Sequence, residues 1–415
     1  MPITKKKIRP ALAPQKSRGL SVEFVTAAAI ATHYGFQPLP NVVVEREDLS
    51  KAKSFYESSL KEVHPFLAKQ GSFAGYLEEK MALLRAYTNK ELSGMTMPIM
   101  AYYEGPLSGN PHIKRSSKER TCNLEIIGNS KSIAEAMIIE TAYVIAKEQY
   151  KEELVVELNS IGDKESGARF AKELTLYFKK RANEWPAECR NILRKDVFEI
   201  FNCTEEKCLE LQEDAPKSMS YLSEPSRKHL AEVLEYLEAL HIPYTINHKL
   251  IGSRSYCSGI LFEIQAAAAG DKHARIVAIG ERYNSLSRKM GSKKEIPAIG
   301  AAILLHGEGH KVTKSAAHPA KKPKYYFIQL GFEAKLKSLQ ILEMLRQAKI
   351  PVSQSLSKDK LLAQITTAEK MEVPYVIIMG QKEALEGSVV VRDMNTRSQD
   401  TVFLSELVTY LKKLK

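Results

Sequence analysis

Leu250–Glu263 reads LIGSRSYCSGILFE, and the rest of the chain is organised around it. Ile260, Leu261 and Phe262 form a short apolar run, and Gly252, Ser253, Ser255, Ser258 and Gly259 leave little bulk ahead of it. A strand with this pattern is packed at one end and lines a cavity at the other. It is expected to run from Leu250 to Ile264, with further strands at Ala274–Ile279 and Ala298–Leu305.

Upstream, residues 1–20 carry three prolines and no apolar periodicity, the pattern of a basic flexible arm. Val22, Val25, Ala28 and Ala29 predict a helix that ends by Gly35. Val42, Val43 and Val44 read as a buried strand, and residues 46–80 as mostly helical, with Leu60, Val63, Phe66 and Leu67 at helical spacing. A Gly/Pro/Ser-rich turn and a basic loop lead to the strand Asn123–Ile127. Ser132 and Glu135 have the spacing of a capping box, opening a helix before the strand Leu154–Leu158.

Residues 162–245 are charged and helical, with a stripe of Leu230, Val233, Leu234, Leu237 and Leu240. A helical insertion domain is therefore expected between two core blocks, 21–161 and 246–306. Residues 307–324 are a Lys-rich linker by composition. Residues 325–415 then alternate strand and helix, which predicts a compact α/β domain on a largely parallel sheet.

The chain has 415 residues, long for a single core. No apolar run nears the ~20 residues of a bilayer span. The N-terminus lacks the apolar core of a secretory signal, so a cytoplasmic location and no membrane partner are expected. The net charge of +12 is concentrated at residues 5–18, 114–120 and 311–324, which favours a polyanionic partner. The five cysteines are odd in number and scattered, and the histidines at 306, 310 and 318 are irregularly spaced. Free thiols and no metal site are the expectation.

The central stretch is similar to LVRGLDYYTGTVFE, the motif with which histidyl-tRNA synthetases line their amino-acid pocket. KIPV, LLAQITTAEKMEVPYVIIMGQKE and GSVVVRDMNTRSQDTV resemble the anticodon-binding domain of that family. YGFQPLPNVVVE resembles its motif 1 region, NSIG and APKSMSYLSEPS its insertion, and IGERYNSL with PAIGAAI its approach to motif 3. The resemblance runs in family order from about residue 20 to 415. It implies an α+β class II synthetase-like antiparallel sheet core with a helical insertion, a C-terminal α/β anticodon-binding-like domain, and a homodimer.

The resemblance also implies a pocket that has lost its chemistry. The family's motif 2 arginine falls on Gly109, the arginine opening RGLDYY on Gly252, and the motif 3 arginine on Gly307. The aspartate beside the second falls on Ser255 and the second tyrosine on Cys257, while Tyr256 is kept. The pocket glutamine falls on Thr121, although Glu125 retains the glutamate. LRPEGT is reduced to a run that includes Arg85 and Thr88. Amino-acid activation builds negative charge that fixed cations must meet, and one lost donor costs about 3–4 kcal/mol. Arg254 shares a face with Gly252 if the strand is regular, so it is the candidate relocated cation.

Loss of amino-acid activation, with retained binding of tRNA or a tRNA-like RNA, is the expectation. Lys358, Lys360, Gln364, Arg392 and Arg397 are the candidate contacts, and no cofactor is needed. Two alternatives stand beside it. One is a regulatory subunit resembling that of ATP phosphoribosyltransferase. The other is a working ligase, using ATP and Mg2+, with Arg254 and Arg115 displaced into the catalytic roles. Pairing of an inactive chain with an active synthetase is a variant of the first.

Overall fold

The computed structural model describes residues 20–60, 77–105, 107, 120–194, 196–203, 205–252, 256–267, 275–305, 312–313, 323–355 and 358–414. A short antiparallel pair joins β1 (Leu20–Ser21) to β10 (Val312–Thr313). The stretch expected to be an unstructured linker therefore contributes a strand at 312–313.

The larger sheet has eight strands: β2 (Gln37–Pro38), β3 (Ile99–Gly105), β4 (Arg120–Ile127), β5 (Glu153–Gly162), β6 (Tyr244–Ile246), β7 (Gly259–Ala267), β8 (Arg275–Arg282) and β9 (Ala298–Leu305). Their spatial order is β2-β3-β4-β9-β8-β7-β5-β6. The outermost pairs, β2 with β3 and β5 with β6, are parallel, and every other pairing is antiparallel. The expected antiparallel core is thus present.

Period-2 alternation divides the two faces of this sheet. On β4, Cys122, Leu124 and Ile126 are fully buried in the main apolar core. That core is covered by α1 (Val22–His33) and, further along the chain, by the apolar residues of Ile133–Gln149. Thr121, Asn123 and Glu125 alternate with them and occupy the opposite face. There the sheet meets a second apolar cluster, which includes Met81, Leu83 and Leu84.

Helices α2 (Arg46–Leu60) and α3 (Leu77–Thr88) pack on one another ahead of the sheet, and α4 (Ile133–Gln149) follows β4. Between β5 and β6 lie α5 (Lys164–Lys180), α6 (Ala187–Leu193), a 3-10 turn (Val197–Asn202), α7 (Glu206–Glu213) and α8 (Glu224–Ala239). Asp163 caps α5 by accepting from the Ser166 amide at 2.9 Å, and Ser223 caps α8. Residues from α5 to α7 close over their own core around Phe170, Trp185 and Cys208. Leu230, Val233, Tyr236 and Leu237 of α8 instead join the main core.

After α9 (Asn284–Lys289) the C-terminal sheet has the order β12-β11-β13-β14-β15. Its strands are β11 (Tyr325–Gln329), β12 (Val352–Gln354), β13 (Tyr375–Met379), β14 (Ser388–Asp393) and β15 (Gln399–Phe403). Four helices join them: α10 (Phe332–Gln347), α11 (Leu361–Lys370), α12 (Gln381–Glu386) and α13 (Leu404–Lys413). Only β11 pairs in parallel, with β12 and β13; β14 and β15 are antiparallel. The largely parallel sheet expected from the sequence is therefore corrected. The reversal is built by an Asx turn, where the Asp393 carboxylate accepts from the amides of Asn395 and Thr396 at 2.7 and 2.9 Å. This domain docks on the core through α10: Tyr34 donates to Glu343 at 2.6 Å, and the Tyr236 and Phe332 rings lie 5.3 Å apart.

Three local expectations fail for physical reasons. Val42–Val44 forms no strand: the Val43 carbonyl accepts from Arg85 at 2.9 Å, and the Val42 amide donates to the Pro40 carbonyl at 2.6 Å. The Ser132–Glu135 capping box does not form. Ser132 is already helical and its hydroxyl donates to Glu232 at 2.6 Å, while Glu135 is taken by stronger charged partners. Finally, the strand expected from Leu250 begins only at Gly259, because Gly252 has φ +66° and turns the chain. The expected helical positions Val63, Phe66 and Leu67 lie outside the described residues.

Candidate functional site

The polar face of the large sheet carries the candidate pocket. In the strand register, Glu125 of β4 and Glu281 of β8 both flank Gly300 of β9. A side chain at Gly300 would collide with the Glu125 carboxylate, since its Cβ would stand 2.2 Å from Oε2. Glycine is what lets this carboxylate lie flat across the sheet. Tyr283 then donates its hydroxyl to Glu125 at 2.6 Å.

The first turn of α3 closes over this face with Glu78, Glu79 and Lys80, all buried. Glu79 accepts from the Leu107 amide at 2.8 Å and from the Tyr103 hydroxyl at 3.3 Å. Lys80 is paired with Glu281, and its ammonium lies 5.1 Å from the Tyr256 ring centroid and 5.3 Å from that of Tyr283. One lysine thus sits among three carboxylates, Glu79, Glu125 and Glu281. Burial, with the repulsion of Glu79 and Glu281 behind it, pushes the Glu125 carboxyl up to about 8 against the pull of Tyr283 and Lys80. The site therefore favours the neutral form of Glu125. Burial likewise raises the Tyr103 and Tyr283 phenols and the Cys257 thiol.

Among the residues singled out in the sequence, Glu125, Tyr256, Cys257 and Thr121 come to this face or its rim. Thr121 is buried, and its hydroxyl accepts from Asn123 at 3.3 Å. Arg85 has been drawn away: its guanidinium binds Asp48 at 3.2 Å, Glu45 at 3.1 Å, Glu91 at 3.2 Å and the Val43 carbonyl. Thr88 closes α3 by donating to the Leu84 carbonyl. Gly252 has the left-handed backbone that favours glycine, and a Cβ there would meet Leu261 at 3.0 Å and Cys257 at 3.1 Å. No strand passes through Gly252, and Arg254, Gly109, Arg115 and Gly307 lie outside the described residues.

Sequence reasoning missed Glu79, Lys80, Tyr103, Glu281 and Tyr283. Glu78, Glu79 and Lys80 stand at the end of the stretch 46–80 read as helical, and as charged residues at a helix start they carry no sign of burial. Their burial comes from the sheet that packs over them. Arg282, next to Glu281, faces the other way and holds Glu135 at 2.5 and 2.6 Å. Burial alone would raise the Glu135 carboxyl, but Arg282 and His229 hold it at about 2.

In the C-terminal domain, Arg392 and Arg397 line one surface pocket together with Ile365, Glu369, Glu372 and Asn395. Lys360 is exposed at the start of α11, and Lys358 is bound to Thr367. Gln364 is not available for RNA. It is fully buried, accepting from the Gln329 amide at 3.3 Å and donating to the Gln329 carbonyl at 2.8 Å, so it ties α11 to β11. Nor are the cysteines scattered in space: Cys189, Cys203 and Cys208 come together in the helical segment, their sulfurs all within 4.8 Å.

Residues 324–414 match the family described as "Anticodon binding domain". The histidine–tRNA ligase of Dehalococcoides mccartyi strain 195 is 27% identical over 398 residues, covering 93% of this chain and 94% of that protein. The ligase of Bacillus velezensis is 28% identical over 364 residues, covering 85% of this chain and 84% of that protein. Apo histidyl-tRNA synthetase from S. aureus aligns over 97% of this chain and 100% of its own, at 19% identity and a TM-score of 0.49. The chain is thus similar along nearly its full length to histidine–tRNA ligases, and residues 324–414 match an anticodon-binding domain.

Proposed function

We propose that this chain binds tRNA, or an RNA folded like tRNA, through its anticodon-binding domain, and that it does not activate histidine. The observation that carries the second half is the charge of the pocket face. An acyl-adenylate transition state needs cations around the α-phosphate. Here Lys80 is already paired with Glu281, two further carboxylates stand beside it, and Arg85 is engaged elsewhere. A triphosphate entering this face would find no unpaired cation among the described residues, and so the set does not fit ATP.

Among the described residues the pocket also lacks the means to select histidine. A neutral Glu125 bonded to Tyr283 has exchanged a ligand contact for an internal one. RNA binding is supported by the net charge of +12 and by Arg392 and Arg397 meeting at one surface pocket. A homodimer in the cytoplasm, needing neither ATP nor Mg2+, is the working form in this reading. Filter binding of total tRNA across a salt series tests it. The expected result is a steep fall of affinity with salt, and a flat response would count against it.

A further inference from the structure

The helical segment between β5 and β6 holds a cluster that the pocket and the RNA surface do not use. Cys189 lies in α6, Cys203 just past the 3-10 turn, and Cys208 in the first turn of α7. The Cys189 sulfur is 3.5 Å from that of Cys203 and 3.5 Å from that of Cys208, and all three lie within 4.8 Å of one another. None is in a disulfide.

Three thiols can meet as ordinary small core side chains, and Cys189 and Cys208 do belong to a local apolar cluster. What sets this group apart is its spacing and its convergence from three separate elements. A tetrahedral ion with Zn–S bonds of about 2.3 Å holds its sulfurs about 3.8 Å apart. Two of the three separations are already near that value and the third lies within 4.8 Å, so an ion could be taken up by small side-chain shifts. Cys208 is fully buried while Cys203 is partly exposed, so the cluster has a wet side from which an ion can enter.

We propose that Cys189, Cys203 and Cys208 form a three-thiolate site for one zinc ion, with the fourth position open to water or to an added ligand. The ion would pin α6, the 3-10 turn and α7 to one another, which is a structural role separate from RNA binding. Sulfur is the soft donor that selects zinc over the hard cations that nucleic acid carries.

The test uses the full-length chain purified under reducing conditions, with cobalt(II) as the spectroscopic probe followed by zinc competition. The expected result is one equivalent bound, with sulfur-to-cobalt charge-transfer absorption that zinc removes. Cys203→Ser, chosen because this residue is partly exposed, should weaken binding by more than the ~10²-fold expected for an outer-shell partner. Cys122→Ala, outside the cluster, should leave binding unchanged, and circular dichroism checks that both variants fold. The proposal is overturned if the reduced wild-type chain shows no charge-transfer band, or if Cys203→Ser binds as well as wild type. A Cys189–Cys203 disulfide that returns no metal binding after reduction also overturns it.

Discussion

Substituting Glu125 by glutamine would remove one ionisable proton from the centre of the pocket while keeping its shape. The Glu125 carboxyl is buried, accepts from Tyr283 at 2.6 Å and is pushed up to about 8. In the unfolded chain a glutamate titrates near 4.3. A group raised in the fold contributes fully below its unfolded value, and that contribution is lost as pH rises towards the folded one. Between pH 4.3 and 8 the native state must therefore keep a proton that the unfolded chain releases. At 1.36 kcal/mol per unit, the ceiling on this loss is about 5 kcal/mol. Urea unfolding of wild type and Glu125→Gln at pH 5, 7 and 8.5, followed by near-ultraviolet circular dichroism of the core tyrosines, measures it. Wild type should lose several kcal/mol relative to the variant across that range, with the gap widening towards pH 8.5. Parallel curves would refute the reasoning, because they would mean that Glu125 is ionised throughout and Lys80 serves it rather than Glu281.

Arg282→Met leaves the buried Glu135 carboxylate without its bidentate partner and should cost about 3–5 kcal/mol in thermal or urea unfolding, part of it recovered by adding Glu135→Gln. Gln364→Ala breaks both bonds to the Gln329 backbone and should cost about 1–3 kcal/mol without changing the salt slope of RNA binding. Arg392→Ala with Arg397→Ala should have the opposite profile, with near-wild-type stability and a slope of log K against log salt shallower by about 2. Gly252→Arg, which puts back the family's side chain, should destabilise the core without creating activity, since the left-handed backbone and Leu261 at 3.0 Å oppose any side chain.

Where the sequence carried a periodic signal, the fold could be read from it. β9 has the bounds expected, because Ala298–Leu305 is an apolar run with marked ends. α12 and β15 were missed: α12 is only six residues long, and β15 is exposed along most of its length, so neither shows a buried pattern. Residues 42–44 gave the opposite error. Val42 and Val44 are buried and alternate with an exposed Val43, which is the signature of a strand. Only the partner decides the matter, and here that partner is the Arg85 side chain.

The pocket was legible as losses but not as replacements. Glycine opposite an expected arginine can be seen by resemblance, and Glu125 could be marked as retained. That Glu125 would favour its neutral form depends on burial beneath α3 and on the repulsion of Glu79 and Glu281, working against Lys80 and Tyr283, and these groups come from α3, β8 and the start of α9, which are distant in sequence. The thiol cluster was missed for a similar reason. Cys189 is 14 residues from Cys203, and only the fold of α6 and α7 brings its sulfur to the pair.

ATP–pyrophosphate exchange with histidine tests the central claim most directly, because it isolates adenylate formation from RNA binding. With saturating ATP, Mg2+ and histidine, the full-length chain should give no exchange above that of a protein-free control, at an RNA affinity that remains measurable in parallel. Histidine-dependent exchange by the purified chain would contradict the account, since an acid-rich pocket with Lys80 already paired could not then be the adenylating centre.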